Sequence, residues 1–282
     1  MMRKKAIVTG ASRGIGKGIA AALAKAGYDL AISYATKAAE AETVASELAT
    51  EYGAQVYVFQ AELNRHGEGK KLFDQATEAL GGLDLLVNNA GVTYFEPVQG
   101  LTEETLDYLI DLDFRNYVLM MSYAAEYMIE HQIRGSIVNI TSTRGERAYP
   151  GDGIYGGLKA GLNRAIQSFA LDVCDYGIRI NNVAPGAIRI RTREELIANG
   201  RPEMGEFWDE LGTRIPLGRA GTPQDIGNMV AFLASDAAAY VTGMTIRVDG
   251  GLILPGMPEL VTDDLKLGDW RSFIPANRSK SL

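Results

Sequence analysis

The sequence predicts an α/β protein, a single doubly wound domain built on a seven-stranded parallel sheet. Three observations carry that expectation. Short β-branched runs alternate with longer segments of helical periodicity from residue 5 to residue 248. A glycine-rich turn, Thr9-Gly10-Ala11-Ser12-Arg13-Gly14-Ile15-Gly16, joins the first apolar run to the first helical one. At 282 residues, 46% of them hydrophobic, the chain can fill one large core of this class.

Taken in order, Ala6-Ile7-Val8 marks a strand over 5–9, and Ile15-Gly16-Lys17-Gly18-Ile19-Ala20-Ala21-Ala22-Leu23 opens a helix over 15–26. Strands follow at 29–34, 55–60, 84–87, 135–141, 178–183 and 244–248, with helices at 38–52, 67–80, 102–131, 155–176 and 222–235. Helices between successive strands return the chain to the same edge, so the strands run parallel and are covered on both faces. Right-handed crossovers then put a ligand crevice at the carboxyl ends of the strands, beside the switch in strand order. Residues 1–251 form this domain, with an insertion at 189–216 rich in Arg189, Arg191 and Arg193 and running on through an amphipathic stretch to Trp208. Residues 252–282 make a tail with Pro255, Pro258 and Pro275, and with Trp270 and Phe273 near its end. Two large aromatics suit packing on a neighbouring subunit, and a loose terminus is the plainer alternative.

Bulk properties narrow the function. With 28 basic and 35 acidic residues the formal charge is −7, which argues against nucleic acid or an anionic membrane as a partner and for a small molecule. The lone Cys174 excludes a disulfide within the chain and is expected to pack in its apolar helical stretch. Met1-Met2-Arg3-Lys4-Lys5 starts like an export signal, but Gly10 and Arg13 break the apolar run, and no stretch approaches a membrane span; a cytoplasmic protein is expected. His66 and His131 stand far apart outside any ligand spacing, so no metal is expected and both read as surface residues.

The glycines at 10, 14 and 16 let a bulky phosphorylated ligand approach the main chain, and the helix that follows offers free N–H donors and positive potential. A dinucleotide pyrophosphate suits such a site, although this spacing departs from G-x-G-x-x-G and a plain turn would read the same in isolation. Further along stand Asn88-Asn89-Ala90-Gly91, Ser142, Tyr155-Gly156-Gly157-Leu158-Lys159 and Pro185-Gly186. Together, from about residue 4 to residue 251, these motifs resemble the classical short-chain dehydrogenase/reductases, which implies a Rossmann fold and hydride transfer with a nicotinamide dinucleotide.

Tyr155 and Lys159 are four apart at the start of a helix, so both project from one face. A free tyrosine titrates near 10, too high for ready exchange at neutral pH, and a neighbouring ammonium favours the phenolate. Tyr155 is thus expected to give a proton in carbonyl reduction and take one in alcohol oxidation. Ser142, at a strand end thirteen residues earlier, would donate a hydrogen bond to the same substrate oxygen. An isolated Y-x-x-x-K is more often a surface pair; the placement of Ser142 is what argues against that here. The resemblance further implies that Lys159 holds the nicotinamide ribose, that Asn89, Ala90 and Gly91 line the adenosine, and that Thr141, Pro185, Gly186 and Ile188 also touch the cofactor.

Two departures stand out. Twenty-two residues after Gly91, where the family usually has asparagine, this chain has Asp113, and Asn116 comes three residues too late. The family uses the backbone carbonyl there to hold a relay water, which an aspartate retains. Asp113 therefore stays in the expected catalytic set, with its carboxylate partly offsetting the charge of Lys159. After Pro185-Gly186-Ala187-Ile188, Ile190 stands where a threonine commonly bonds the carboxamide, and Thr192 is a candidate only after a local shift.

Cofactor choice turns on Ala31-Ile32-Ser33-Tyr34-Ala35-Thr36-Lys37, where no acidic residue waits for a ribose 2′-hydroxyl. Arg13 and Lys37 can neutralise a 2′-phosphate, with Ser33 or Thr36 donating hydrogen bonds, so NADP is favoured and NAD remains possible. Ser12 and Ile15 complete the turn, Tyr34 joins the adenosine side, and Glu62 and Leu63 stand at the family's adenine pair. Thr93, Tyr94, Phe95, Arg144, Glu146, Arg147, Tyr149, Arg189 and Arg191 are expected to face the substrate. The resemblance implies that the 189–216 insertion is a mobile substrate lid, and the arginines could bind a carboxylate or phosphate, or pair with Glu194 and Glu195 within that lid. The expected function is secondary alcohol–ketone interconversion by a homo-oligomer, tetramer or dimer, with the oxoacyl-thioester reductase and glucose-dehydrogenase branches most similar. A sugar dehydrogenase is the nearest alternative, and a non-catalytic redox sensor the alternative of another class.

Overall fold

β1 (Lys4–Val8) leads through the glycine turn into α1 (Gly14–Lys25), and the alternation continues with β2 (Tyr28–Tyr34), α2 (Ala38–Tyr52), β3 (Val56–Gln60), α3 (Glu68–Leu80) and β4 (Leu85–Asn88) in a computed structural model that describes residues 3–254. The second half runs α4 (Glu103–Ile110), α5 (Asn116–Glu130), β5 (Ser136–Ile140), α6 (Gly153–Val173), β6 (Arg179–Pro185), α7 (Arg193–Ala198), α8 (Glu203–Arg214), α9 (Pro223–Ala234) and β7 (Thr245–Val248). All seven strands pair in parallel in the order β3-β2-β1-β4-β5-β6-β7. The order reverses between β1 and β4, and the crevice of such a sheet opens there at the carboxyl ends.

Strand alternation sorts the core into two layers. Ala6, Val8, Leu30, Ile32, Leu85 and Val87 pack with α1, α2 and α9 on one face, while Ile7, Ala31 and Leu86 pack with α3, α5 and α6 on the other. One row on the second face is polar. Asn88, Asn139 and Asn182 are register neighbours on β4, β5 and β6, all fully buried. Asn88 Nδ2 donates to Asn139 Oδ1 (2.9 Å), Asn139 Nδ2 to Asn182 Oδ1 (3.0 Å), and Asn182 Nδ2 to Asn163 Oδ1 on α6 (3.2 Å). Each amide spends its donor on the next, which is how three asparagines can be buried side by side.

Two expectations change. The helix expected over 102–131 is divided by a π turn, Asp111–Arg115, in which the N–H of Asn116 donates to Asp111 five residues back. Cys174 is exposed rather than packed, because it lies in a tight turn after α6, where Val173 is the last residue of the buried stripe. His66 and His131 lie at the surface as expected. The tail beyond residue 254, with Trp270 and Phe273, lies outside the described residues. No described helix is long and apolar enough to cross a membrane.

Candidate active site

The carboxyl ends of the strands open on a cleft of about 920 Å³. At its floor, Gly10 and Gly14 take positive φ (+65° and +56°), and a Cβ on Gly16 would lie 2.3 Å from the Gly10 carbonyl oxygen. β1 can therefore turn into α1 with its backbone bare to the cleft. The N-terminus of α1 carries no acidic residue in its first turn and no side-chain cap, leaving its N–H groups for an outside acceptor. These features fit the pyrophosphate of a dinucleotide. Ser12, Arg13, Gly14, Ile15 and Gly16 all line this region, with Tyr34, Thr36 and Lys37 beside them.

The Asn-Asn-Ala-Gly run does three separate jobs. Asn88 belongs to the amide row in the sheet. Asn89 Nδ2 donates to the carbonyls of Thr9 (2.8 Å) and Gly10 (2.9 Å), while Thr9 Oγ1 accepts from the backbone N–H groups of Asn89 and Ala90, locking this run to the glycine turn. Gly91 leaves the space that Asp113 fills, since a Cβ there would meet Asp113 Oδ1 at 2.4 Å.

Ser142, Tyr155 and Lys159 line the same part of the cleft. The Ser142 oxygen accepts from the N–H of Arg144 (3.1 Å), which fixes the side chain and leaves its hydrogen to donate. Tyr155, in the first turn of α6, is half-buried, and Lys159 one turn on is only 2% exposed. Lys159 Nζ lies 2.9 Å from Asp113 Oδ1 as a buried ion pair, and 3.4 Å from the Ile140 carbonyl. The same ammonium sits over the rings of Tyr117 (4.4 Å) and Tyr155 (5.5 Å). Burial presses the Lys159 ammonium toward losing its proton, but Tyr117, Asp113 and Tyr155 outweigh it and hold the group above its ordinary range. The Tyr117 phenol is held above its usual value chiefly by burial and stays protonated. Asp113 Oδ2 accepts from the N–H of Val92 (3.2 Å), so the π turn, the β4 exit and α6 meet on one buried carboxylate. Asn116 lies elsewhere, against Gly69 on α3.

Thr93, Phe95, Tyr108, Ile190, Phe207, Trp208 and Leu211 line the other end, a mostly apolar wall with α8 on one side. Arg144 is the cation there. Its guanidinium pairs with Asp152 (2.9 Å) and stacks on Phe95 (4.7 Å) and Tyr149 (4.3 Å). The lid arginines Arg189 and Arg193 both bind Asp209 on α8 (3.1 and 2.9 Å), not Glu194 or Glu195.

Of the residues singled out in the sequence, Leu63, Asn89, Ala90, Gly91, Thr141, Pro185, Gly186 and Ile188 also line the cleft. Glu62 lies off the lining and pairs with Arg65 (2.8 Å); Tyr94, Glu146, Arg147, Tyr149, Arg189 and Arg191 are off it as well. Thr192 caps α7, accepting from Glu195 N–H, and Ile190 covers Gly14. The Ser33 oxygen accepts from Gly10 N–H (3.1 Å), which fixes the side chain in the cleft lining and leaves its hydrogen to donate. Thr9, Tyr117, Phe207, Trp208 and Leu211 were not anticipated; Tyr117, one helical turn after Asp113, could have been found by spacing. Among the described residues no cluster of histidine, cysteine and carboxylate groups has metal-holding geometry.

Comparison with known proteins agrees with this geometry. Residues 10–253 match the family model described as enoyl-(acyl carrier protein) reductase. The chain is 38% identical over 253 residues to 3-oxoacyl-(acyl-carrier-protein) reductase FabG of Staphylococcus aureus, covering 90% of this chain and 99% of that one. It is 33% identical over 257 residues to a diacetyl reductase ((S)-acetoin forming) of Staphylococcus epidermidis, covering 89% and 99%. Among solved structures, a short-chain dehydrogenase/reductase from Serratia marcescens superposes with a TM-score of 0.80 at 34% identity, covering 89% and 98% of the two chains. Acetoin dehydrogenase from Enterobacter cloacae gives 0.82 at 30%, covering 93% and 99%.

Proposed function

The chain belongs to the classical short-chain dehydrogenase/reductases, and from that premise we propose that it is an NADP-preferring oxidoreductase that interconverts a ketone and a secondary alcohol, with Tyr155 as its general acid and base. The convergence of Ser142, Tyr155 and Lys159 at one end of a dinucleotide-sized cleft carries this reading. A bound nicotinamide dinucleotide supplies or accepts the hydride. Ser142 donates a hydrogen bond to the reacting oxygen, and Tyr155 gives that oxygen its proton in reduction or removes it in oxidation. Lys159, kept charged by its surroundings, would hold the ribose and keeps a positive charge beside the Tyr155 ring. The π turn and the β4 exit hold Lys159 in place through Asp113.

The preference for NADP is supported by Arg13 and Lys37 at the adenosine end and by the lack of any carboxylate among Ser33, Tyr34, Ala35, Thr36 and Lys37. The apolar wall of Phe95, Ile190, Phe207, Trp208 and Leu211 supports an apolar ketone over a polyhydroxylated sugar, whose hydroxyls would lose water there without partners. The neutralised state of Arg144 supports an uncharged reacting end. A redox sensor without turnover would have no use for the three catalytic groups. A homo-oligomer and a cytoplasmic setting belong to the same proposal. The first is supported by the edge position of β7 and by exposed Phe232, Tyr240 and Met244, the second by the single cysteine.

The test is cofactor oxidation and reduction with NADPH/NADP⁺ and NADH/NAD⁺ across small diketones, oxoacyl thioesters, sugars and hydroxysteroids. We expect turnover on an apolar ketone, reduced by at least about a hundredfold in Tyr155→Phe. Cofactor binding without turnover on any member of the panel would turn the reading toward a sensor.

A further inference from the structure

Lys159 and Asp113 form a buried ion pair at the reacting end of the cleft, and that pair bears on which oxidation state of the cofactor the protein holds. Asp113 is fully buried and Lys159 nearly so. Every other group facing the ammonium is uncharged: the Ile140 carbonyl from β5, the Tyr117 phenol from α5 and the Tyr155 ring from α6. Among the described residues lining the cleft, Asp113 is the one acidic side chain, against Arg13, Lys37, Arg144 and Lys159. Arg144 has its own carboxylate in Asp152. Asp113 is therefore the acidic side chain that lines the catalytic end itself, with Asp152 behind Arg144.

Hydride transfer requires the nicotinamide in contact with the carbon whose oxygen rests on Tyr155 and Ser142, so the ring must lie in the same water-poor pocket as Lys159. That ring is cationic when oxidised and neutral when reduced. Beside an uncompensated lysine, the oxidised ring would be repelled and the reduced ring would not. Resting on the function proposed above, we infer that Asp113 cancels this repulsion and sets the balance of cofactor binding toward the oxidised form. Asp113 acts through Lys159 and is a positioning residue for charge, without touching substrate. The protein then binds NADP⁺ without the penalty that the lysine alone would impose on the oxidised ring.

The experiment is equilibrium binding of NADP⁺, NADPH and 2′-phospho-ADP-ribose, which lacks the ring, to the wild-type protein and to Asp113→Asn. Trp208, on the cleft wall, gives a fluorescence signal, and calorimetry checks it. In Asp113→Asn the ratio of the NADP⁺ to the NADPH dissociation constant should rise about tenfold, the scale of one charge interaction across a partly screened interior. The ring-less analogue should bind both proteins alike. An unchanged ratio, or equal weakening of all three probes, would overturn the inference while leaving the cofactor reading intact. Failure of the wild type to bind any of the three would overturn both. If Asp113→Asn does not fold, Asp113→Ser gives the same reading, since it also removes the charge and leaves room for a water.

Discussion

Arg13 projects from the glycine turn, exposed and without a carboxylate partner among the described residues, whereas Lys37 is already drawn 3.7 Å from Glu40. A guanidinium presents a planar fork of donors suited to phosphate, so Arg13 should carry more of the 2′-phosphate selection than Lys37. Arg13→Ala is expected to weaken NADP⁺ binding about tenfold and to leave NAD⁺ within about twofold, the size of one exposed charge-assisted contact. Equal losses for both cofactors would show that the arginine supports the turn and does not read the phosphate. The three residues proposed as catalytic were legible as a set because it depends on local spacing: Tyr155 and Lys159 share a helix face, and Ser142 ends a strand. Residues whose role depends on contacts distant in sequence were not. Ser33 takes the Gly10 N–H on its oxygen while keeping its hydrogen to donate, and Thr192 caps α7.

At the scale of elements, all seven strands could be read within a few residues, because alternation and β-branching are properties of short segments. The π turn inside the expected 102–131 helix was not legible, since one extra residue in a turn leaves hydrophobic periodicity nearly unchanged. That turn nevertheless places Asp113 rather than Asn116 beside Lys159. Glycines within helices were also only half read. Gly18 and Gly227 look like weak points of α1 and α9, but they are where the two helices touch, with a Cβ on Gly227 falling 2.4 Å from the Gly18 carbonyl oxygen and 2.9 Å from Ala22 Cβ. Because the obstacle is backbone, the helices themselves would have to separate. Gly227→Ala should cost about 2 kcal/mol in urea unfolding, outweighing the better helix propensity of alanine. Since α1 also carries the pyrophosphate cradle, NADP⁺ affinity should fall with it. Unchanged stability would mean that the crossing is looser than these distances imply.

Over the whole molecule, charge is organised in a way that composition conceals. The chain carries −7 overall, yet the described residues line its cleft with four cations and one carboxylate, so an anionic dinucleotide would meet a locally positive surface on an acidic protein. Net charge argues against nucleic acid as a partner but does not locate this field. Tyrosine burial likewise becomes visible only once the layers are assembled. Tyr28, at the start of β2, is 5% exposed and donates to the Ala234 carbonyl at the end of α9, tying the sheet to that helix (3.2 Å). Burial, followed by the nearby Asp84, pushes its phenol up to about 12, against about 10 for an unfolded chain. A group with a raised folded pKa gives stability that is complete below the unfolded value and lost as pH climbs through the folded one. Tyr28 should therefore contribute fully up to about pH 9 and lose its linkage stability from roughly pH 10 to pH 12, reaching about 1 kcal/mol of loss by pH 11. Tyr117, buried more deeply beside Lys159, adds to the same alkaline decline. Urea unfolding of wild type and Tyr28→Phe at pH 8 and pH 11 separates the two contributions. The phenylalanine variant, lacking the hydroxyl, should be about 1 kcal/mol less stable at pH 8 and should lose less on going to pH 11. Parallel losses in the two proteins would mean that the Tyr28 hydroxyl reaches water in the folded state and that the tie between β2 and α9 is not closed.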